Sequence, residues 1–498
     1  MKRIIALILT AALTAVAVLA CATDGEIHEE PGRTVGDAEI QTNGETNGGT
    51  AEVPVAELRF PDLPEIDFGG YEFRILGLRA GAMGHILTQL VAEEETGEAL
   101  NDAIFRRNRR MEDRFGFHLV KTNFNYMGPV RDAARRSIQA ASDDFDLAML
   151  RPEHALAMAQ EGMLEMIDRI PHIDLSQPWW DQAKNRDFSI GGRVFFTSGD
   201  FSFNQYSVTI ATFFNKQLHA DLGLGCPYTL VREGRWTLER FAEQARTGLR
   251  DLNGDGIFDQ NDQWGYLAQA HVYTFALMAA LGTRFTVKDA DDMPVLNMNT
   301  EGFISRFHTL FDILSEGWLF DPTARNIPGG GEFQQNMFLN DQGLFITTLM
   351  NWAITLRAMD NDFGILPQPK LNEQQPYHIT GVDISHAMSI PVTTSDLQRT
   401  GIILEALNAE SRLTTLDVYY DTMLVNQVLN RDEESAEMLD IIFGNRVYDM
   451  GRHFWDSNIA DPVRLAFRDG NRDIVSIIER REPAAVAAIN TAIQAFLD

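Results

Sequence analysis

The run DLNGDGIFDQND at residues 251–262 puts Asp251, Asn253, Asp255, Ile257, Asp259 and Asp262 at its first, third, fifth, seventh, ninth and twelfth places. This is the donor spacing of an EF-hand-type calcium loop. Side-chain oxygens stand at 1, 3 and 5, a main-chain carbonyl at 7, a residue acting through water at 9 and a closing carboxylate at 12. Gly256, at the sixth place, supplies the sharp turn. Two departures stand out: Asp262 replaces the usual Glu and shortens the reach, and the following QWGYLAQ reads as a strand rather than an exiting helix. No second loop of this kind accompanies it, so the spacing predicts one structural calcium rather than a sensor pair.

A second group of residues stands where short apolar runs end, which is where open α/β sheets bind ligands. AMLRP delivers Arg151, VFFTSGDFSFNQ delivers Asp200, LFITTLMNWAI delivers Trp352 and HITGVDIS delivers Asp383. Trp179 and Trp180 follow Pro178. Indole faces beside carboxylates and guanidinium groups match a sugar, whose ring has apolar C–H faces and hydroxyl edges. The candidate ligand contacts are therefore Trp352, Trp180, Asp383, Arg151 and Asp200, with core packing the competing role for each Trp. The catalytic motifs G-x-S-x-G and H-E-x-x-H and the phosphate loop G-x-x-x-x-G-K are absent. A glycoside hydrolase built on two carboxylates stays open as an alternative.

Those residues need a scaffold. YEFRILGL (71–78), FDLAML (145–150) and FGILPQP (363–369) read as strands buried on both faces. ALNDAIFRRNRRMEDRFG (99–116) reads as a helix with Leu100, Ile104, Arg107 and Met111 on one side and Gly116 as its stop. Residues 155–164, 238–249 with Thr237 as N-cap, 397–409 and 483–497 read as further helices. Alternating strands and helices along the chain predict an α/β fold with two open parallel sheets.

Charge and the N-terminus limit the setting. With 71 acidic against 42 basic residues the net charge is -29, which repels phosphate backbones and argues against a nucleic-acid partner. MKRIIALILTAALTAVAVLAC has Lys2 and Arg3, an apolar run and then Cys21, the pattern of a secretory signal. Its VLAC ending resembles a bacterial lipobox. Residues 1–20 are thus expected to be a signal peptide and Cys21 a lipid anchor on the extracellular face of the membrane. Residues 21–56, rich in Gly, Thr, Glu and Asn, are expected to be a disordered tether. Cys226, beside Pro227, reads as a small core residue.

Four longer stretches occur in a telling order: FDLAML…HALAMAQEGMLEMID (145–168), GRVFFTSGDFSFNQYSVTIATFFNKQL (192–218), MFLNDQGLFITTLMNWAI…DFGILPQP (337–369) and AMSIPVTTSDLQRTGIILEAL (387–407). Together, and with Phe214, Asn215, Lys216 and Trp352 within them, they resemble the family 1 extracellular solute-binding proteins of ABC importers, the maltose-binding-like sugar-binding lipoproteins. The resemblance implies a bilobal, periplasmic-binding-protein-like fold of type II, with two open sheets flanked by helices and a hinge. It also implies a monomer without catalytic residues, which captures a carbohydrate, foremost an oligosaccharide, by lobe closure and presents it to a permease. Trp352 would stack on the sugar; calcium loops like 251–262 recur in such proteins. The expected lobes are 57–200 plus about 380–425, and 201–379 plus about 426–498 with the calcium loop. A secreted carbohydrate-active hydrolase, and a sensor or peptide-binding protein of the same fold, are the alternatives.

Overall fold

The structure, a computed structural model, describes residues 58–82, 87–382, 385–424 and 433–497. The expected signal peptide and tether, with Cys21, fall outside these residues, as does Asp383. The strands among them are β1 (Tyr71–Leu78), β2 (Phe117–Phe124), β3 (Leu147–Leu150), β4 (Ile210–Asn215), β5 (Trp264–Leu267), β6 (Thr286–Lys288), β7 (Pro294–Leu296), β8 (Leu319–Phe320), β9 (Gly343–Leu349), β10 (Phe363–Leu366) and β11 (Ala387–Ser389). β1, β3 and β10 lie where continuous apolar runs predict them, and β3, β4, β5 and β10 are buried along their whole length.

Two main sheets result, both flanked by helices. One has the order β11-β3-β1-β2 and the other β10-β4-β9-β5-β8, while β6 and β7 make a separate ribbon. The expectation of purely parallel sheets is wrong in a systematic way. β1 runs parallel to β2 and β3, and β5 runs parallel to β8 and β9, but β11 is antiparallel to β3 and β4 is antiparallel to β9 and β10. The reason is where the chain arrives from. β4 and β11 each begin as the chain crosses from one sheet to the other. Ile210 therefore pairs with Leu349 at the end of β9, and Ala387 with Leu150 at the end of β3. A strand that enters where its neighbour leaves must run the opposite way.

The helices follow their end signals. Glu98 caps the helix Ala99–Phe115 through bonds from the Leu100 and Asn101 N–H groups, and Gly116 ends it in the left-handed region at φ 62°. A Cβ on Gly116 would also strike the Asp67 carboxylate. Thr237 caps Leu238–Thr247 as expected. The final helix is longer than predicted, Ile474–Leu497 with Pro483 inside it, because apolar packing of Ile474, Ile477 and Ile478 extends it upstream of the proline.

Candidate functional site

Two stretches link the sheets, one ending at Ile210 of β4 and the other running into Ala387 of β11, and before they become strands their described residues bond to each other. Ile210 N–H donates to Thr380 O (2.9 Å) and Val382 N–H to Val208 O (3.1 Å) at one end; Met388 N–H donates to Thr197 O (2.7 Å) at the other. The apolar run before Asp200 thus forms isolated bridges, such as Thr197 with Met388, rather than a strand. Between the ends, His386 N–H donates to Asn204 Oδ1 (2.6 Å), and Ser202 Oγ lies 3.0 Å from His386 Nδ1. Fully buried Lys184 pins both stretches, its Nζ bonding to Ser198 Oγ, Ser385 Oγ (3.3 Å) and His386 O (3.2 Å). Burial and the nearby Lys121 and Lys184 charges push the His386 imidazole down to about 3, so it is neutral.

Carboxyl ends of strands from both sheets meet this crossing. Past β3, Arg151 occupies the N-cap place of the helix Pro152–Gln160, with its Nε 2.6 Å from Glu153 Oε1. Past β9, the turn Met350–Trp352 packs against the short helix Asn204–Ser207, and Met350 N–H donates to Thr209 O (2.7 Å). Trp352 is half-buried; its Nε1 lies 2.9 Å from the Gln335 amide oxygen in the orientation that satisfies that amide. Beside it, buried Asn351 leaves both amide atoms without a partner, as do Asn204 at Nδ2, Gln205 at Oε1 and His386 at Nε2. Buried polar groups are usually bonded, so these five atoms are open to a polar partner.

On the same crossing a cavity of about 290 Å³ is lined by Trp180, Asp181, Asp200, Tyr206, Arg412 and Arg446, among others. Two of its carboxylates, Asp200 and Asp181, are paired with guanidinium groups. Asp200 accepts from Tyr206 Oη (2.5 Å) and lies 3.4 Å from Arg412 Nη1. Burial pushes its carboxyl up to about 6 against the pull of Arg412. Asp181, the N-cap of the helix Gln182–Phe188, accepts from Tyr448 Oη (2.8 Å) and lies 3.3 Å from Arg446 Nη2. Burial raises its carboxyl, yet the Arg446 and Lys184 charges outweigh that and hold it below the ordinary range. The Arg446 guanidinium lies over the Tyr206 ring at 4.7 Å, and Tyr420 stacks on Phe443.

The sequence candidates therefore divide. Asp200 and Trp180 line the cavity, while Arg151 and Trp352 stand at the strand ends. Trp180 is only 2% exposed and donates to Glu405 Oε2 (2.9 Å), so its ring belongs to the core. Asp181, Lys184, His386, Arg412 and Arg446 were missed. Asp181 alone had a local signal, an acidic residue just before a helix; the others gain their surroundings from distant chain.

The loop 251–262 is an array of Asx turns. Asp251 accepts from the Gly254 (2.7 Å) and Gly256 (2.9 Å) N–H groups, Asn253 from Asp255, and Asp255 from Ile257. Asp259 accepts from Asn261 N–H, and Asp262 from the Leu252 and Asp259 N–H groups, 2.9 Å each. Gly254 and Gly256 take φ of 75° and 76°. Among the described residues no three His, Cys, Asp or Glu side chains converge as a metal-holding group. The donor types suit calcium, whereas the converged cluster is not formed. β5 follows the loop, as QWGYLAQ predicted.

No family model and no curated protein matches the chain. Solved structures do. The maltose/maltodextrin-binding domain MalE of Bdellovibrio bacteriovorus, bound to maltotriose, aligns over 86% of this chain and 100% of its own, with 13% identity and a TM-score of 0.50. The ABC substrate-binding protein Lmo0181 of Listeria monocytogenes, in complex with cycloalternan, covers 84% and 99% at 12% identity and 0.52. UgpB of Mycobacterium tuberculosis, in complex with glycerophosphocholine, covers 84% and 99% at 14% identity and 0.51. The fold is that of a bilobal substrate-binding protein. At such identities the likeness establishes the architecture, and the ligand has to be argued from the residues.

Proposed function

We propose that this protein captures a carbohydrate outside the cell and hands it to an ABC-type permease, binding without turnover. The observation that carries this is the crossing itself. A 290 Å³ cavity and a row of orphan amides lie where elements of both sheets meet, and acceptors (Asp181, Asp200, Gln205) alternate with donors (Arg412, Arg446) beside aromatic rings. Sugar hydroxyls both donate and accept and so need such alternation, while ring C–H faces need an aromatic neighbour. MalE and Lmo0181, which share the fold, are described with maltotriose and cycloalternan. In this reading Trp352 stacks on the solute, Asp200, Arg151 and Asp383 bond to it, and closure of the two lobes about the crossing traps it.

The decisive experiment is calorimetry against a carbohydrate panel, using the wild type and Trp352→Ala. A stacked indole is worth about 1–3 kcal/mol of buried contact, so roughly a tenfold or larger loss of affinity is expected. Unchanged affinity for every bound sugar removes the stacking role, and catalytic turnover of any sugar removes the binding-protein reading.

The setting is part of the proposal: export by residues 1–20, a lipid on Cys21, residues 21–56 as tether and a structural calcium at 251–262. Intact mass of the exported protein is the direct check. A diacylglyceryl adduct at Cys21 supports the anchor, and a Cys21–Cys226 disulfide excludes it.

A further inference from the structure

The cavity of about 290 Å³ at the crossing is lined by three carboxylates, Asp181, Asp200 and Asp440, and three guanidinium groups, Arg186, Arg412 and Arg446. Around them Lys184 faces Asp181, Asp187 takes Arg186 at 2.8 Å, and Glu405 holds the Trp180 indole. The count leaves no positive surplus for an anion, and Asp181 and Asp200 already face cations. Its unmet needs are hydrogen bonds, on two buried side chains. Gln205, 2% exposed, lies with its amide nitrogen 3.3 Å from Asp200 Oδ1, and its Oε1 accepts from nothing. A carboxylate only accepts, so the nitrogen is the end that faces Asp200. Arg446, its side chain 9% exposed, directs Nη2 at Asp181 (3.3 Å), while Nε and Nη1 donate to nothing. The Tyr206 ring, 4.7 Å from the guanidinium, supports its charge but offers no lone pair in the ring. Tyr206 also ties the two side chains together, since its hydroxyl donates to the same Asp200 Oδ1 (2.5 Å) that Gln205 uses.

One cavity thus presents two open donors on Arg446 and one open acceptor on Gln205, and a buried polar atom without a partner is costly. A carbonyl oxygen accepts twice and donates nothing, whereas an amide N–H donates once and accepts nothing. An amide on the solute therefore fills the three places with no group left over. A hydroxyl at Arg446 would bring an O–H as well, among carboxylate oxygens that are already bonded. The rings of Tyr420 and Phe443, stacked on each other in the same wall, give a methyl group apolar surroundings. Resting on the solute-capture reading above, we infer that Gln205 and Arg446 determine specificity by reading an acetamido group on the captured sugar, its carbonyl oxygen at Arg446 and its N–H at Gln205. The solute is then an N-acetylated amino sugar, neutral as the balanced wall requires.

The test is calorimetry with four probes: N,N′-diacetylchitobiose, cellobiose, chitobiose and N-acetylglycinamide. Cellobiose puts a hydroxyl and chitobiose an ammonium where the first sugar has its acetamido groups, and N-acetylglycinamide is an amide without a sugar ring. At least tenfold tighter binding of diacetylchitobiose than of cellobiose or chitobiose is expected. Gln205→Met removes the acceptor at nearly constant length, and Arg446→Lys keeps a cation facing Asp181 while removing the guanidinium donors. Each should bring the ratio of diacetylchitobiose to cellobiose toward one, with urea midpoints confirming that the variants fold. A ratio unchanged in both folded variants overturns the inference. Cellobiose or chitobiose binding as tightly as diacetylchitobiose also overturns it, and leaves the carbohydrate reading standing. N-acetylglycinamide binding with no sugar bound supports the amide contacts and removes the carbohydrate. No binding to any of the four overturns the inference as well.

Discussion

Glu405 offers a quantitative handle on the wall of the site. It lies on the helix Leu397–Glu410, 1% exposed, and accepts from Trp179 Nε1 (3.1 Å), Trp180 Nε1 (2.9 Å) and Asp174 N–H (3.3 Å). All three partners are neutral. Burial outweighs them and raises the carboxyl from 4.5 to about 7. The folded protein therefore keeps a proton that the unfolded chain has already lost. Stability is highest below about pH 4.5, falls as pH rises through the interval, and has lost its full share above about pH 7. A gap of about 2.5 pH units at ~1.36 kcal/mol each comes to about 3 kcal/mol. Glu405→Gln removes the titration. Its amide still accepts one indole N–H but cannot accept the second, a fixed deficit of about 1–3 kcal/mol at every pH. Urea unfolding followed by tryptophan fluorescence from pH 4.5 to 8 reads both quantities. The variant should be the weaker protein at pH 4.5, and the gap should close or invert by pH 7.5, a swing of about 3 kcal/mol. Asp200, which titrates in the same window, is present in both proteins and cancels in the difference. A gap that stays constant to within about 0.5 kcal/mol across this range would refute the burial argument.

Two further outcomes follow from named contacts. Arg446→Met removes one of the two cations that face Asp181 while leaving Lys184 and Tyr448 Oη in place. It should cost about 3–5 kcal/mol at neutral pH and less on acidification as the stranded carboxylate takes up a proton; a loss under about 1 kcal/mol at neutral pH argues that the pair is dispensable. Calcium in excess of its dissociation constant should stabilise the protein by about 1–2 kcal/mol, read as a thermal midpoint that EDTA lowers. Asp251→Asn should abolish the response, and a midpoint indifferent to calcium and chelator rules out metal at 251–262.

Much of the framework could be read locally. β1 occupies the whole of YEFRILGL, Gly116 stops its helix and Thr237 caps another, because burial of a short apolar run and the satisfaction of helix ends are decided within a few residues. The alternation of strands and helices indicated two sheets, and two main sheets are present beside the small β6-β7 ribbon. Strand direction was not readable, since it depends on where the chain re-enters a sheet after crossing, and Ile210 and Ala387 carry no mark of that. Trp180 illustrates the same limit at one residue. Its place after Pro178 invited a stacking role, but Glu405, 225 positions away, takes its N–H into the core. Lys184 and Arg446 look alike in the sequence, each a basic residue in a mixed run. That both face Asp181 depends on what other elements bring near, as electrostatic partners are set by distance in space. The sequence alone established the fold class, several helix ends and the donor pattern of 251–262; tertiary structure decided which polar groups and charges meet at the crossing.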